Sequence, residues 1–538
     1  MSAPVLLTDT QIQQFICDGF IVLQPKMDES VHRVIDEKFC WLAENEKNPG
    51  NNILARLPEL NKIIESPEVI GAMISLLGED YIKIPHCFWH NRAAGNNKLF
   101  NVDNPNQKTF KENVGANSHQ DSYCPTSMGK SHPLQYLRFM YYSHDMELKN
   151  GPTHVSPGTQ YHSSVSDEDR QRETPVIGKA GTIFLSHFEL IHAGSPNESD
   201  RVRNMIKFLF TRSQNMKVPS WENKSTVWVE PSSHSVPYQI ENCWKQQWRW
   251  LCNTEPSSDD LNGKEPFNLE FFKNIHEPAK LIQAIQSIGK NSDAIDYLIS
   301  LLDNNHQAVR TSSIYALGLI KKEAIKPLVS YLADTKFEGK NDLPQASGVT
   351  ISFSDSAQAL IACGEEALEE IGNLLNIEND WVCMNALHII ASIGSSTPKL
   401  NEKIIACLNS KSYLVVSFAA TALGRVGNEE TIPTMLNILN TGYDVENHKA
   451  QVDDLRNAQW PHQWIIHFNA ALALVRLSKY ANKYENELSA QLSNPFGQVT
   501  ILLCECLNRI GTPSALRALV DFYKGRRWDD NLCATRCF

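Results

Sequence analysis

Several common features are absent from this 538-residue sequence, and each absence excludes a class of protein. No apolar run reaches the roughly 18 residues that a membrane-spanning helix needs. The N-terminus lacks both the basic residues and the longer apolar stretch of a signal peptide. Acidic residues number 61 and basic residues 50, so the chain has no overall attraction for nucleic acid or for an anionic membrane. We therefore predict no membrane span and no nucleic-acid partner.

Frequent catalytic motifs are missing as well. The sequence contains no Gly-rich phosphate loop, no Gly-x-Ser-x-Gly nucleophile turn and no His-Glu-x-x-His zinc motif. Its 13 cysteines are odd in number, are scattered along the chain and form no Cys-x-x-Cys pair. This spacing favours reduced thiols over a disulfide framework or a zinc finger, and we expect a cytoplasmic location.

Length and composition indicate a folded chain of several parts. Hydrophobic residues make up 42% of the sequence and charged residues 21%, which is typical of globular proteins. Domains usually contain about 100–200 residues, so this chain is too long for a single core. The hydrophobic periodicity changes along the chain, and on that basis we predict three regions: residues 1–215, 216–268 and 269–538.

The first region shows the signals of a β-rich domain. A capping box at Thr8 and Gln11 begins a helix that Gly19 ends, and a strand at Phe20–Leu23 follows. A second helical pattern covers residues 29–45. Further strand candidates alternate with turns that contain Gly or Pro; they are 81–89, 137–143, 153–155, 181–186 and 203–211. Short strands of this kind predict a sandwich or a jelly roll, not a parallel α/β sheet.

The last region shows the periodicity of stacked helix pairs. Helical apolar spacing dominates from about residue 279, and a small residue followed by leucine recurs at intervals of 27 to 51 residues. These pairs are Ala316-Leu317, Ala359-Leu360, Ala386-Leu387, Ala422-Leu423, Ala473-Leu474 and Cys506-Leu507. The period predicts helical repeats that bury a core only by stacking, with insertions at 334–348 and 441–461. The texture resembles HEAT-like repeats and so predicts an all-α solenoid; the alternative is an ordinary helical domain.

Residues 216–268, between these regions, are rich in tryptophan. The indoles belong to Trp221, Trp228, Trp244, Trp248 and Trp250. A flexible linker is poor in large aromatic residues, so we predict a packed bridge that buries them. An aromatic wall over an active site is the less favoured alternative.

Three residues from two separate segments are candidates for a metal site. His119 and Asp121 form a His-x-Asp motif, and on a strand their side chains share one face because the side-chain period is two. His192 follows a strand and precedes a Gly-x-Pro-Asn turn. Two histidines and one carboxylate on one side of an iron ion leave positions open for a cosubstrate and for oxygen. Arg203, 11 residues after His192, is suited to hold a carboxylate through paired charge-assisted hydrogen bonds.

The order of these residues, set in a β-rich region, resembles the phytanoyl-CoA dioxygenase family over about residues 5–215. The same resemblance includes the segments Asp18-Gly19-Phe20-Ile21-Val22, Asn150-Gly151-Pro152 and Pro157-Gly158-Thr159. It implies a double-stranded β-helix, a relative of the jelly roll, that uses Fe(II), 2-oxoglutarate and O2.

The resemblance also implies a role for each residue of the motif. His119, Asp121 and His192 would be the catalytic metal ligands, and Arg203 would bind the distal carboxylate of 2-oxoglutarate. Thr153 and Arg201 are further candidates for cosubstrate binding. Relatives that halogenate have a small residue in place of the motif carboxylate, so Asp121 implies hydroxylation or another oxidation.

Two positions depart from the family pattern. Ser118 stands before the first histidine, where an aromatic or aliphatic residue is frequent, and Gly194 stands where a serine near the cosubstrate is common. Among competing histidines, His187 lacks the turn and the arginine that follow His192. His90 ends a strand candidate and is a less favoured candidate for the lining of a substrate cavity.

We therefore predict an Fe(II)- and 2-oxoglutarate-dependent hydroxylase whose repeats recruit the substrate or support assembly. The substrate is a small molecule, a natural product, or a group linked to a carrier or peptide, and the repeats offer a surface for a protein partner. The alternative is a non-catalytic scaffold that retains a relic oxygenase fold.

Overall fold

The computed structural model describes residues 3–46, 48–95, 118–121, 131–262, 267–334, 353–440 and 462–525. These residues form two compact units, one with the described residues up to Ser395 and the other with those from Ser396 onward. Apart from Asp334, the predicted insertions at 334–348 and 441–461 lie outside the described residues. The division into regions 1–215, 216–268 and 269–538 stays a prediction.

The N-terminal elements follow the local signals of the sequence. Helix α1 (Asp9–Asp18) begins at a capping box in which Thr8 and Gln11 satisfy each other's backbone N–H groups. It ends at Gly19, whose φ of 81° lies in the left-handed region that favours glycine. Strand β1 (Phe20–Leu23) and helix α2 (Glu29–Asn45) follow, and these three predicted elements are confirmed.

Short helices and further strands complete the N-terminal part. The helices are α3 (Ile53–Arg56), α4 (Leu60–Ile64), α5 (Pro67–Leu77) and α6 (Asp167–Gln171). The strands are β2 (Ile82–Arg92), β3 (Tyr136–Tyr142), β4 (Thr153–Val155), β5 (Thr174–Pro175), β6 (Ile183–His187), β7 (His192–Gly194) and β8 (Arg203–Thr211). Each strand candidate of the sequence therefore has a counterpart within a few residues.

The strands form two antiparallel sheets. The larger sheet has the order β1-β6-β3-β8-β2, and the smaller sheet has the order β5-β4-β7. Each of the strand pairs is antiparallel. This arrangement confirms the expectation of an antiparallel β domain over a parallel α/β sheet.

The two faces of the larger sheet have different partners. On one face, Phe39 of α2 stacks on Trp89 of β2 with ring centroids 4.9 Å apart. On the other face, Met140, Phe184 and Met205 form an apolar cluster with Val155 of the smaller sheet. Because side chains alternate along a strand, the polar side chains on this second face of β3 and β8 also point into the space between the two sheets.

Several tryptophans of the segment 216–268 pack against one another, and its role as a bridge stays a prediction. Trp221 and Trp248 lie 5.4 Å apart between ring centroids, and Trp228 lies 6.1 Å from Trp248. The indole N–H of Trp248 donates to the carbonyl of Thr226, and that of Trp221 donates to Asp9. Indoles buried with satisfied N–H groups act as core, because an unpaired polar group would offset the gain from burial.

From Glu241 onward, the described elements are helices and short 3₁₀ turns. In the first unit they are α7 (Glu241–Cys252), α8 (Ser258–Leu261), α9 (Leu269–Lys273), α10 (Pro278–Gln286), α11 (Ile295–Ser300), α12 (Gln307–Ile320), α13 (Lys322–Ala333), α14 (Asp355–Cys363), α15 (Leu368–Leu374) and α16 (Asp380–Ile393). In the second unit they are α17 (Pro398–Cys407), α18 (Tyr413–Val426), α19 (Ile432–Asn440), α20 (His462–Arg476), α21 (Glu485–Ala490), α22 (Gly497–Ile510) and α23 (Pro513–Lys524). None of the helices described is long and apolar enough to cross a membrane.

Within the first unit, buried hydrogen bonds join the helices to the β domain. The Tyr315 hydroxyl of α12 lies 3.0 Å from His132 Nδ1 and accepts a 2.7 Å hydrogen bond from Gln247. Asn215, just after β8, donates to the last carbonyls of α16. Removal of either partner of a buried polar contact lowers the stability of the protein. These helices and the β domain are therefore parts of one packed body.

The glycines that directly follow two of the recurring pairs have a steric role. At Gly318 in α12, an added Cβ atom would lie 2.5 Å from the Cβ of Ala362 in α14. At Gly424 in α18, it would lie 2.8 Å from the Cα of Ala473 in α20. Glycine at these two positions therefore permits neighbouring helices to approach closely within each unit.

Replacement of Gly318 by valine tests this helix contact. We expect Gly318→Val to lower the free energy of unfolding by about 1–3 kcal/mol, because the added atoms overlap α14. Urea unfolding followed by circular dichroism measures the change. Gly497→Val is the matched control, since nothing lies within 4 Å of a Cβ atom at that helix position. Equal stability of the two variants would contradict the role assigned to Gly318.

Candidate metal centre

The two histidines of the motif are joined through their backbones. The N–H of His119 donates to the carbonyl of His192 at 3.0 Å, and the N–H of His192 donates to the carbonyl of His119 at 3.1 Å. Such a pair places both side chains on one side of the strands. The ring centroids are 4.4 Å apart. His119 takes part as a single bridging residue, not as part of a longer described strand.

The residue between the ligand candidates points the other way. Gln120 donates through its side-chain amide to the carbonyls of His162 and Glu189, each at 2.9 Å. This anchoring turns His119 and Asp121 to the opposite side together, as the two-residue spacing predicts. Asp121 Oδ1 lies 3.4 Å from His119 Nε2, and Asp121 Oδ2 lies 3.7 Å from His192 Nε2.

The donor atoms of this triad suit a divalent transition metal. One ligand atom from each of His119, Asp121 and His192 lies within 4.8 Å of the other two. His192 Nδ1 lies 3.1 Å from the carbonyl of Leu190, so Nδ1 carries the proton and the Nε2 lone pair faces Asp121. Burial lowers the pKa of His192 well below its ordinary value, with further lowering by Arg138, so its imidazole is neutral. Neutral imidazole and carboxylate are the forms that bind metal.

Two cations face Asp121 that the sequence reasoning missed. Lys207 Nζ lies 3.0 Å and Arg138 Nη2 lies 2.8 Å from Asp121 Oδ2. Burial alone would raise the pKa of Asp121, but Lys207 and then Arg138 hold that pKa well below its ordinary value. The carboxylate is therefore charged, with Oδ2 held by cations and Oδ1 toward His119. A charged residue in the middle of an apolar strand was the available signal for both cations.

Ser118, a departure from the family pattern, has a defined partner. Its hydroxyl donates to Glu173 Oε1, next to β5. Burial raises the pKa of Glu173, and the hydrogen bond from Ser118 acts in the opposite direction. The serine thus links the segment of the first histidine to the carboxyl group of Glu173 beside β5.

Arg203 and Thr153 lie on the inner side of the sheets. Arg203 and Lys207 lie on the same face of β8, because they are four positions apart and the side-chain period of a strand is two. Its side chain is buried, and its Nη1 donates to the carbonyl of Gly151 at 2.7 Å. Thr153 lies opposite Gly194 in the pairing of β4 with β7. Its N–H donates to the Tyr142 hydroxyl at 3.2 Å.

Arg201 and His187 have partners away from the triad. Arg201 pairs with Asp36 of α2, which also accepts a hydrogen bond from Asn204. Asn204 points to the face of β8 opposite Arg203 and Lys207. The cosubstrate role predicted for Arg201 stays a prediction that these contacts do not favour. His187 accepts at Nδ1 from the N–H of Glu189 and is a buried core residue.

Residues 27–205 match the model of the phytanoyl-CoA dioxygenase family. The matched segment contains the three residues of the triad and Arg203. It supports an oxygenase, and it implies Fe(II), 2-oxoglutarate and O2 as cofactor and cosubstrates. No curated protein matches the chain.

Solved structures show a distant likeness. EctD from S. alaskensis with 2-oxoglutarate and 5-hydroxyectoine is 16% identical with a TM-score of 0.31, over 44% of this chain and 86% of that chain. The non-heme alpha ketoglutarate dependent carbocyclase SnoK from nogalamycin biosynthesis is 13% identical with a TM-score of 0.28, over 39% and 88%. The nickel complex of the non-heme monooxygenase ThoJ is 15% identical with a TM-score of 0.28, over 40% and 83%. Likeness at this level carries no argument about activity.

Removal of the Asp121 charge tests the electrostatics of the metal-free site. We expect Asp121→Asn to lower the free energy of unfolding by about 3–5 kcal/mol in the presence of a chelator, because Lys207 and Arg138 then lack a buried counter-charge. His119→Gln is the control, since its side chain is 53% exposed, and its effect should stay within about 1 kcal/mol.

The stability difference between wild type and Asp121→Asn also depends on pH. Because the folded pKa of Asp121 is depressed, its stabilisation is complete above the unfolded value of about 4 and declines as pH falls further. The difference between wild type and Asp121→Asn should therefore be constant from about pH 5 to 8. A small difference there, equal to that of the His119→Gln control, would contradict the charge cluster.

Proposed function

We propose that this chain is an Fe(II)- and 2-oxoglutarate-dependent hydroxylase that acts on a C–H bond of a small-molecule, natural-product or carrier- or peptide-linked substrate. The observation that carries the proposal is the triad of His119, Asp121 and His192, whose ligand atoms lie within 4.8 Å of one another inside the matched segment. Arg203, buried on the same inner face as Lys207, supports the cosubstrate role.

Each residue has a part that follows from its surroundings. When bound, iron and 2-oxoglutarate supply the oxidising chemistry, with succinate and carbon dioxide as coproducts. His119, Asp121 and His192 would hold the metal and would leave coordination positions for other ligands. Lys207 and Arg138 keep Asp121 ionised and fix its rotamer through Oδ2. Arg203 would bind the distal carboxylate of the cosubstrate, and Thr153 would be a secondary contact.

The architecture that we assign is a double-stranded β-helix followed by HEAT-like repeats. The two antiparallel sheets around the triad support the first part. The close helix contacts at Gly318 and Gly424 support the second. We assign the helices up to Ser395 a supporting role for the catalytic domain, on the basis of the buried bonds of Tyr315 and Asn215. A docking surface for a protein partner or a linked substrate would then belong to the later helices.

A cytoplasmic location is part of the proposal. Buried thiols such as Cys17, Cys87 and Cys243 form no disulfide and support a reducing compartment. In the same compartment Fe(II) persists in its reduced form. The alternative, a scaffold with a relic fold, is disfavoured by a triad that keeps all its donor atoms and their orienting bonds.

Anaerobic reconstitution of the full chain tests the function. With Fe(II) and 2-oxoglutarate we expect a weak visible charge-transfer band, and succinate once oxygen is admitted, because the triad leaves metal positions open to the cosubstrate. His119→Ala should abolish the band, whereas the exposed His276→Ala, a matched histidine control, should leave it unchanged. A wild-type protein without band or succinate would establish the scaffold alternative.

A further inference from the structure

A second arginine lies beside Arg203 on the inner face of the larger sheet. In the pairing of β2 with β8, Arg92 stands directly opposite Arg203. Directly paired residues point to the same face, so the two guanidinium groups share the space between the sheets with Lys207. Like charges placed opposite each other on paired strands repel each other, and together they attract an anion to the space between them.

The Arg92 guanidinium reaches the strand that carries the third metal ligand candidate. Its Nη1 donates to the carbonyl of Ser195, just after β7. Its Nη2 lies 3.0 Å from the place that a Cβ atom of residue 194 would take. Gly194 is two residues from His192 on β7, so its missing side chain would point to the same side as that imidazole, roughly 7 Å along the strand. The guanidinium therefore occupies the space that any other residue at 194 would fill.

The backbone on both sides of this arginine pair is fixed. Asn197 is fully buried, and its side-chain amide donates to the carbonyls of Arg92, Ala93 and Arg201. This contact ties the end of β2 to the turn after β7. Arg203 is held through the carbonyl of Gly151, which lies against the Ser195–Pro196 backbone. Both guanidinium groups thus converge on one pair of backbone segments.

Arg203 retains hydrogen-bonding capacity in this buried position. Its Nε is buried without a hydrogen-bond partner, and no ion pair joins it to a carboxylate among the residues that the structure describes. Burial, followed by repulsion from Arg92, lowers its pKa to about 10, so it is still charged at neutral pH. A buried guanidinium in this state is a binding group for an anion.

We propose that Arg92 and Arg203 form a two-arginine clamp for the distal carboxylate of the cosubstrate, with Arg92 in the space opened by Gly194. The inference rests on the proposed function and adds a binding residue and a size requirement at position 194. The guanidinium of Arg92 takes the space that a side chain at residue 194 would occupy. The separation of Gly194 from His192 along β7 is comparable to the length of a five-carbon diacid.

Ligand binding to the full chain, loaded anaerobically with Fe(II), tests the clamp by calorimetry. The probes are 2-oxoglutarate and 2-oxopentanoate, which has the same chain length but no distal carboxylate. Arg92→Met should weaken 2-oxoglutarate binding about 10- to 100-fold, the range for a lost charge-assisted contact. Binding of 2-oxopentanoate and of Fe(II) should change less than about threefold. Arg33→Met, on the exposed side of α2, is the matched control and should bind both ligands as wild type does.

Gly194→Val provides a second test that leaves Arg92 in place. The added side chain displaces the guanidinium, so 2-oxoglutarate binding should fall about tenfold or more in the wild-type background. In the Arg92→Met background the same change should have little further effect, because the two variants remove one interaction.

The possible outcomes separate this inference from the proposed function. Wild-type protein that binds Fe(II) but not 2-oxoglutarate overturns both. Normal 2-oxoglutarate binding by Arg92→Met, with loss in Arg203→Met, overturns the clamp alone. Equal loss of 2-oxoglutarate and 2-oxopentanoate in Arg92→Met shows a structural role and also overturns it. Additive effects of Gly194→Val and Arg92→Met would have the same consequence.

Discussion

The buried carboxylate of Asp121, held between two cations, is the constraint on which the site depends. Lys207 comes from β8 and Arg138 from β3, and both reach Asp121 Oδ2 at about hydrogen-bond distance. A buried charge without a partner is costly, so the three groups are stable only together. The carboxylate therefore ties a short segment, described only at residues 118–121, to the centre of the larger sheet. This tie brings His119 to His192 across a single backbone pair.

Charge organises the rest of the inner face as well. Among the described residues, Arg92, Arg138, Arg203 and Lys207 line it, and Asp121 forms ion pairs with Arg138 and Lys207. Arg203 lies four positions from Lys207 on β8, and Arg92 lies opposite Arg203 on β2. Under the proposed function, the triad would hold the metal and the two arginines would bind the distal carboxylate of the cosubstrate. The apolar cluster around Met140 and Met205 fills the space between the sheets.

The helices of the first unit belong to the same packed body as the β domain. Tyr315 joins His132 and Gln247 in a buried network, and Asn215 caps the end of α16. A polar network of this kind fixes one arrangement of the elements, because each partner left unpaired would be buried without water. The helices up to Ser395 pack in one unit with the β domain, and those from Ser396 form a unit of their own.

Local sequence patterns and the order of a few residues determined many elements of the fold and the candidate metal ligands. The capping box at Thr8, the strand candidates and the order of the metal triad depend on neighbours or on strand alternation, and such patterns are visible in one dimension. The cations around Asp121 and the approach of Arg92 to Gly194 were decided only by the tertiary structure. These contacts join strands far apart in the chain, and their register sets which charges meet. A strand pattern specifies which face a side chain takes, but not which partner stands opposite it.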